Sequence, residues 1–358
     1  MYQFFYVIRF PCGKTRKYKL KQGVNFMGKN KLSVLRGVLS GLIIFILVLG
    51  STQAFADYPE RPITLLVGFA PGGSMDLSAR ALARSAEKIL GQPIIIENKT
   101  GGTGTVALAA LLSQNPDGYI LCATPSSVLI RVSQMQQVPF KPLTSFKPII
   151  GFAEPLLGIV VKNDASWKTI KDLVKEAKKN PGKMKFATTG VGSTTQAAVE
   201  EIAATEKLQM IHIPYKGSVE ALTSLLGGHV DFASLTSELA PSVKSGQTRL
   251  LATMSKKRSP KYPAVPTLKE AGYDFVNDAV FSIVGSSNLP PEVAKKLETA
   301  FTQATKSNEY LEELDKIDIV PVNYSSKEFD SFLRIHWKKI NKHLIASGLI
   351  KEAATLPE

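Results

Sequence analysis

The segment LLVGFAPGGSMDLSARALARS, residues 65–85, combines residue types and spacing that could bind an anion. The apolar run Leu65–Phe69 is typical of a buried strand, and a helical pattern begins soon after Pro71-Gly72-Gly73. A strand that turns through glycines into a helix presents backbone N–H groups at the positive end of the helix dipole. This turn could hold a nucleotide phosphate or a substrate carboxylate, or it could serve only as a tight turn.

The composition of this first turn favours a carboxylate over a phosphate. A Walker phosphate loop needs a lysine after its glycines, and none follows Gly72 and Gly73. The backbone could still bind a carboxylate, with the Ser74 hydroxyl assisting and Asp76 capping the start of the helix. A plain strand-to-helix turn explains the pattern about as well. The candidate ligand-binding residues here are Ala70, Pro71, Gly72, Gly73 and Ser74.

Two further polar segments could contribute to the same kind of site. TTGVGSTTQ, residues 188–196, follows a predicted strand, and its hydroxyl content exceeds what a turn requires. PYKGS, residues 214–218, offers an aromatic ring that could cover an apolar ligand and a lysine that could pair with an anion. A solvated lysine is the commoner outcome. The candidate ligand-binding residues in these segments are Gly192, Ser193, Thr194, Thr195, Tyr215, Lys216 and Gly217.

The glycine pattern Gly102-x-Gly104-x-x-Ala107 resembles a dinucleotide-binding fingerprint. Residues 98–100, however, separate the preceding strand from the first glycine, and the next strand, YILCAT, has no acidic residue at its end for a ribose hydroxyl. We therefore expect no nicotinamide cofactor.

Side-chain patterns of common catalytic and metal sites are absent from the sequence. It contains no G-x-S-x-G, H-E-x-x-H or C-x-x-C, and its four histidines are scattered. His229 and Asp231 are too few ligands for a metal, which needs three or four. We therefore expect a protein that is not an enzyme, with no catalytic residues, no cofactor and no metal.

The charge distribution argues against a nucleic-acid partner. The formal net charge is +14, but nine of the 44 Lys and Arg residues lie in residues 1–56, which contain no Asp or Glu. Residues 57–358 therefore carry only +5. A mildly basic domain of this size lacks the concentrated positive charge that nucleic-acid binding needs.

Residues 1–56 are interpreted as a signal peptide region. Basic residues at 29–36 precede a mostly apolar run at 38–49, and Ala54-Phe55-Ala56 is an A-x-A pattern that predicts cleavage after Ala56. The run is short for a membrane span of about 20 apolar residues, and an uncleaved anchor is the alternative. Translation from Met27 would give a well-shaped signal peptide.

From residue 57 onward, apolar strand-like runs alternate with helical patterns, which predicts an α/β fold with parallel sheets. The 302 residues that follow residue 56 suit two domains of about 150 residues each. Cys122, the one cysteine outside residues 1–56, lies in an apolar strand, so we expect it in the core and no intramolecular disulfide. The apolar residues at helical spacing in the first helix are Leu77, Ala81, Leu82, Ala86 and Ile89.

Seven segments carry a combination of motifs found in one protein family. They are YPERPITLLVGFAPGGSMDLSARALA, GQPIIIENKTGGTGTVA, NPDGYILCAT, VGSTTQAAVE, HIPYKGSVEALTSLLGGHVDF, GQTRLLATMSKKRSPKYPAVPTLKEAGY and LPPEVAKKLETAF. The chained motifs P-G-G-x-x-D, P-Y-K-G and V-P-T-x-x-E-A-G make the combination specific, and the match covers nearly all of residues 58–350. In these features the chain resembles the substrate-binding proteins of tripartite tricarboxylate transporters, the Bug family of periplasmic solute receptors.

The resemblance implies a periplasmic binding protein of the type II-like, Venus-flytrap class. Two lobes, each a mixed or parallel sheet flanked by helices, would close on a two-strand hinge near Leu157 and Phe281. The first lobe would comprise residues 57–158 and 282–358, and the second residues 159–281.

The resemblance also implies what the lobes hold. Family members typically bind a carboxylate of a small organic acid or amino acid through backbone amides, hydroxyls and bridging water, which here points to Ala70–Ser74 and Gly192–Thr195. A monomeric receptor in the periplasm would deliver this ligand to the membrane permease subunits. Where family members commonly have a histidine after the serine-containing turn, this chain has Gln196, whose amide cannot titrate.

Two alternatives to a transport receptor stay open on the sequence. The chain could be an orphan periplasmic sensor that presents its closed form to a signalling partner. It could also be a secreted enzyme, although the absence of catalytic patterns disfavours this.

Overall fold

In the computed structural model the described residues are 58–277, 279–346 and 348–352, with two short strands, β1 (Tyr6–Arg9) and β2 (Thr15–Tyr18). These two strands pair antiparallel within a unit of residues 1–56, which is separate from the unit of residues 57–358. Residues 27–57, which hold the predicted start at Met27, the basic and apolar segments of the predicted signal peptide and its cleavage after Ala56, lie outside the described residues. None of the described helices is long and apolar enough to cross a membrane.

The second unit alternates strands and helices along most of its length, as predicted. Its strands are β3 (Ile63–Val67), β4 (Ile94–Asn98), β5 (Ile120–Pro125), β6 (Phe146–Pro155), β7 (Gly158–Lys162), β8 (Lys185–Thr188), β9 (Ile211–Pro214), β10 (Phe232–Leu235), β11 (Thr248–Thr253), β12 (Phe281–Ser286) and β13 (Ile319–Ser325). Its α-helices are α1 (Ser74–Leu90), α2 (Thr105–Leu112), α3 (Ser133–Met135), α4 (Ile170–Lys179), α5 (Thr194–Glu206), α6 (Ser218–Leu226), α7 (Leu239–Lys244), α8 (Pro291–Ala304), α9 (Asn308–Lys316) and α10 (Ser326–Ala346). A 3₁₀ turn at Gly102–Gly104 precedes α2, and a π-helical turn at Val128–Val132 precedes α3.

Two mixed sheets organise these elements. One has six strands in the order β13-β6-β12-β5-β3-β4, and the other has five in the order β11-β7-β10-β8-β9. In the first sheet β4, β3 and β5 are parallel, and in the second β9, β8 and β10 are parallel. The carboxyl ends of parallel strands share one edge of a sheet, so each sheet gathers several strand-to-helix turns in one place.

Apolar side chains cover both faces of each sheet. Helices α1, α8 and α9 pack on one face of the six-stranded sheet, while α2, the π-helical turn and α10 pack on the other. Cys122 lies fully buried in this second core without a disulfide, as predicted. The predicted apolar face of α1 is partly wrong: Leu77 and Ile89 are 37% and 42% exposed, because α1 turns its small residues, among them Ala79, towards the sheet.

The chain passes between the two sheets by two adjacent segments. Residues 156–157 connect β6 to β7, and the return segment ends where β12 begins. The Met254 amide donates to the carbonyl oxygen of Leu157 at 2.9 Å. The Asn277 amide donates to the Met254 carbonyl oxygen at 2.6 Å, and the Asn277 side chain donates to the Pro155 carbonyl oxygen at 3.2 Å. These bonds tie the two segments into a short hinge. The predicted fold, a two-domain binding protein with two sheets flanked by helices, is confirmed.

A buried carboxylate beside β13 makes a further connection between the elements of the two sheets. Asp318 accepts hydrogen bonds from Lys261 at 2.7 Å and Tyr262 at 2.6 Å, and pairs with Lys244 at 3.1 Å. Burial opposes its ionisation, but these partners together hold the pKa of Asp318 below its ordinary value. Its stabilising contribution is therefore present above the ordinary aspartate pKa of about 3.9 and is lost as the pH falls through the lower, folded-state value.

We expect Asp318→Asn to destabilise the protein at pH 7 by about 2 kcal/mol, because the partners of this buried carboxylate are themselves partly exposed. In urea unfolding the gap to the unsubstituted protein should shrink as the pH is lowered from 7 to 3, because the unfolded chain takes up a proton on this aspartate below its ordinary pKa of about 3.9, while the partners of Asp318 oppose protonation in the folded state. Asp315→Asn is the control, since Asp315 shares Lys261 but is 76% exposed. A gap of equal size at both pH values would contradict this account.

Candidate functional site

A cavity lies where the strand-to-helix turns of the two sheets face each other. The six-stranded sheet contributes residues that follow the carboxyl ends of β3 and β5, including Ala70 and Ser127. The five-stranded sheet contributes residues that follow β8, β9 and β10, including Thr189, Gly217 and Thr236. The cavity is therefore formed by the edges of the two sheets at which a ligand is expected in open α/β folds.

In the first predicted turn, Asp76 accepts a hydrogen bond from the loop before α1 and is not the N-cap of the helix, which is Gly73. Its Oδ2 accepts from the Gly72 amide and from Arg80 Nε, both at 2.9 Å, and its Oδ1 accepts from the Asn98 side chain at 2.9 Å. Burial opposes its ionisation, but these hydrogen bonds hold the pKa of Asp76 below its ordinary value. Gly72 has a φ of +77°, the left-handed backbone that favours glycine.

The N-terminus of α1 is capped by residues from the opposite sheet. Gly73 is its N-cap and supplies no side-chain hydrogen bond. The Ser74 amide instead donates to Glu238 Oε1 at 2.5 Å, and the Ser74 hydroxyl donates to Thr236 Oγ1 at 3.0 Å. Sequence reasoning did not include Glu238 or Thr236, because each lies more than 160 positions from Ser74 and TSEL is an unremarkable helix start.

The second predicted turn has its hydroxyls bonded to one another at the start of α5. Ser193 is the N-cap, its hydroxyl accepting from the Gln196 amide at 3.2 Å and donating to the Gly190 carbonyl at 2.7 Å. Thr195 Oγ1 accepts from the Thr189 amide at 3.1 Å. These bonds fix the turn and hold three hydroxyl-bearing residues at one edge of the cavity.

Gln196 connects this turn to an ion pair that crosses between the two sets of elements. Its side-chain oxygen accepts from the Gly192 amide at 2.7 Å, and its nitrogen donates to Glu200 Oε1 at 2.7 Å. Glu200 Oε2 pairs at 2.5 Å with Arg131 of the π-helical turn, whose side chain is 4% exposed. The neutral amide at position 196 thus serves as a hydrogen-bonding bridge.

Gly190 and Gly192, the glycines of the second turn, lie close to residues that follow β4 and β5 of the six-stranded sheet. A Cβ at Gly192 would lie 3.1 Å from Val132 Cα, and one at Gly190 would lie 2.6 Å from Thr103 Oγ1. Thr103 also donates to the Val191 carbonyl at 3.0 Å. Both glycines have positive φ, so they provide the turn conformation as well as the room for this contact.

The structure brings most but not all of the predicted residues to the cavity. Those that line it are Ala70, Gly73, Ser74, Ser193, Thr194, Thr195 and Gly217. Pro71 and Gly72 are exposed outside it. A separate surface groove is lined by Val191, Tyr215 and Lys216. The Tyr215 hydroxyl forms a 2.5 Å hydrogen bond with the Ser224 hydroxyl.

Within the described part of the chain, no group of three or more His, Cys, Asp or Glu side chains could hold a metal ion. The described residues that line the cavity include no Lys, Arg or His. The polar groups that face it are hydroxyls, the N-terminal turns of α1, α5 and α6, and Glu238.

Ser193→Ala should lower stability by about 1 kcal/mol, because it removes an N-cap, and should also weaken ligand binding, because it loosens the turn at the cavity. Ser307→Ala is a matched control, since Ser307 caps α9 in the same way but lies outside the cavity. Urea unfolding and calorimetric titration separate the two effects. Equal ligand affinity in both variants would remove Ser193 from the site.

The sequence matches the family model described as the tripartite tricarboxylate transporter family receptor over residues 78–349. The chain is 38% identical over 300 residues to the UPF0065 protein in the gbd 5′ region of Cupriavidus necator, covering 84% of this chain and 91% of that protein. It is 33% identical over 292 residues to the protein BugT of Bordetella pertussis, covering 80% and 89% of the two chains.

Solved structures share the fold. The periplasmic binding protein BugD superposes with a TM-score of 0.78 at 26% identity, covering 82% of this chain and 99% of that one. MatC of Rhodopseudomonas palustris, solved with bound malate, superposes with a TM-score of 0.75 at 23% identity, covering 80% and 99%.

Proposed function

Because the chain belongs to the tripartite tricarboxylate transporter receptor family, we propose that it captures a small carboxylate between its two lobes and delivers it to the membrane subunits of such a transporter. It is a periplasmic binding protein of the Bug type and not an enzyme. Family membership implies export to the periplasm and a partner with membrane subunits.

The observation that carries the proposal is that two long helices begin at the same cavity from opposite sheets. Helix α1 has 17 residues and α5 has 13, and their first residues line the cavity together with the hydroxyls of Ser74, Ser193 and Thr195. Helix N-termini attract anions, and hydroxyls add donors for carboxylate oxygens.

The hydrogen-bond donors of this cavity suit a carboxylate, whose oxygens only accept hydrogen bonds. Burying an ionised group without donors costs several kcal/mol, so a desolvated carboxylate needs several hydrogen bonds at once. Donors from both lobes converge only when the lobes close, so binding favours the closed form. The malate in the MatC structure is a small carboxylate of the class proposed here.

The lobe boundaries proposed for this movement are residues 57–158 with 282–358, and 159–281. They agree with a chain that leaves the six-stranded sheet after β6 and returns to it at β12. We further propose that the mature receptor begins at Asp57, acts as a monomer and carries its ligand as the closed form.

The ligand class is tested by thermal shift against a panel of mono-, di- and tricarboxylates and amino acids, each beside its neutral carboxamide. A carboxylate present at 100 times its dissociation constant should add about 2.7 kcal/mol of stability. The matching carboxamide should add far less, because it has lost the charge that the helix N-termini favour. Equal stabilisation by acid and amide, or turnover without saturable stabilisation, would contradict the proposal.

Delivery is tested by following uptake of the stabilising carboxylate in cells with and without this chain. Loss of uptake on deletion, restored by the chain but not in the absence of the membrane subunits, is the expected result. Unchanged uptake with a lost transcriptional response would favour an orphan sensor instead.

A further inference from the structure

The cavity already contains a carboxylate that belongs to the protein. Among the described residues that line it, Glu238 is the one ionisable side chain. Glu238 lies between β10 and α7 in the five-stranded-sheet part, yet its Oε1 accepts from the Ser74 amide at the first residue of α1. A carboxylate oxygen thus lies at the helix N-terminus of the opposite lobe.

A chain of hydroxyls holds this carboxylate in place. Thr236 Oγ1 donates to Glu238 Oε2, and because a hydroxyl has a single hydrogen, Thr236 accepts from its other neighbours. These are the Ser74 hydroxyl at 3.0 Å and the Ser218 hydroxyl at 2.8 Å. Ser218 Oγ in turn accepts from the Thr236 amide at 2.9 Å. The hydroxyl hydrogens therefore all point along the chain towards the carboxylate.

Gly73 gives the carboxylate room to approach. A Cβ at this position would lie 3.0 Å from Glu238 Oε1 and 3.2 Å from the Ala70 carbonyl oxygen. The Gly73 φ of −76° is open to any residue, so glycine is needed here for space and not for backbone conformation. A helix whose own N-cap offers no side-chain acceptor is thus capped by an acid from the other lobe.

We propose that Glu238 is an internal competitor for the carboxylate site at the N-terminus of α1. This inference rests on the proposed function, since it concerns the same cavity. A ligand carboxylate that reaches the Ser74 amide must displace Glu238, whose side chain is half-buried. Glu238 thereby sets how tightly this end of the cavity holds a carboxylate, and every carboxylate ligand competes against it.

The test uses sodium acetate as a minimal carboxylate and the ¹⁵N–¹H resonance of Ser74 in the full chain. Glu238→Ala should lower the apparent dissociation constant of acetate at Ser74 about tenfold, within the range of one hydrogen bond to a charged group. Glu238→Gln keeps an acceptor but not the charge, and should give an intermediate value. Glu220→Ala is the matched control, because Glu220 carries the same charge but lines only the separate surface groove.

The same acetate affinity in the unsubstituted protein and Glu238→Ala would overturn the proposal, as would a Ser74 resonance that acetate shifts in neither. Unchanged amide resonances away from the cavity show that the variants keep the fold. The carboxylate panel on the unsubstituted protein reports separately on the proposed function. Saturable stabilisation there, with equal acetate affinities here, would leave the receptor function standing and remove only the competitor role.

Discussion

Glu200→Ala should weaken ligand binding by about a hundredfold or more. Glu200 supplies the negative charge beside the guanidinium of Arg131, which is 4% exposed, and removing one member of a buried ion pair costs about 3–5 kcal/mol. The ion pair joins α5 to the π-helical turn. Its loss should therefore raise the free energy of the closed form, whereas in an open form water would reach the guanidinium. Gln196 would also lose its acceptor in Glu200, which loosens the turn at Gly192.

Calorimetric titration with the stabilising carboxylate and small-angle scattering of the ligand-free protein check this expectation. The variant should bind weakly and have a larger radius of gyration. Glu201→Ala is the control, because it removes the same charge from the next position of α5, where the carboxylate accepts a 3.4 Å hydrogen bond from Thr205 of the same helix. Equal affinity and radius in the two variants would show that the ion pair does not hold the lobes together.

Gly192→Val should keep the fold but bind ligand at least about tenfold more weakly. A valine would be strained at the φ of +81°, and its Cβ would lie 3.1 Å from the Val132 backbone across the cleft. Overpacking a contact of this kind costs about 1–3 kcal/mol, and this cost falls only on the closed form.

Gly182→Val separates the two effects, because Gly182 has a φ of +72° but open space around the position that a Cβ would occupy. Both variants should lose similar stability in urea from backbone strain, about 1–3 kcal/mol. Only Gly192→Val should lose ligand affinity. If both bind equally well, the close approach of Gly192 to Val132 does not limit closure.

Local sequence patterns predicted most of the fold because they report on local structure. Apolar runs ended by glycine turns located the strands, and helical spacing located the helices between them. The buried face of α1 was less well predicted, since Leu77 and Ile89 fit the spacing but are partly exposed. Periodicity identifies an apolar stripe, whereas the sheet beneath α1 selects small residues such as Ala79 for close packing.

The sequence predicted the candidate site only one turn at a time, because each pattern describes a single local segment. Ser74 and Thr195 line one cavity, whereas Gly192, predicted as a ligand-binding residue, lies beside that cavity against Val132. Tyr215 bonds within its own lobe to Ser224. Glu238 could not be found locally, because it lies 164 positions from its partner Ser74 and meets the start of α1 only in the folded chain.

A crystal structure with the most stabilising carboxylate of the panel tests the central claim most directly. We expect the carboxylate between the N-termini of α1 and α5, with an oxygen within about 3.2 Å of donors from both lobes or joined to them by one water. The side chain of Glu238 should have left the Ser74 amide wherever the ligand occupies that position. A ligand bound outside this cavity, or held by one lobe alone, would contradict the account.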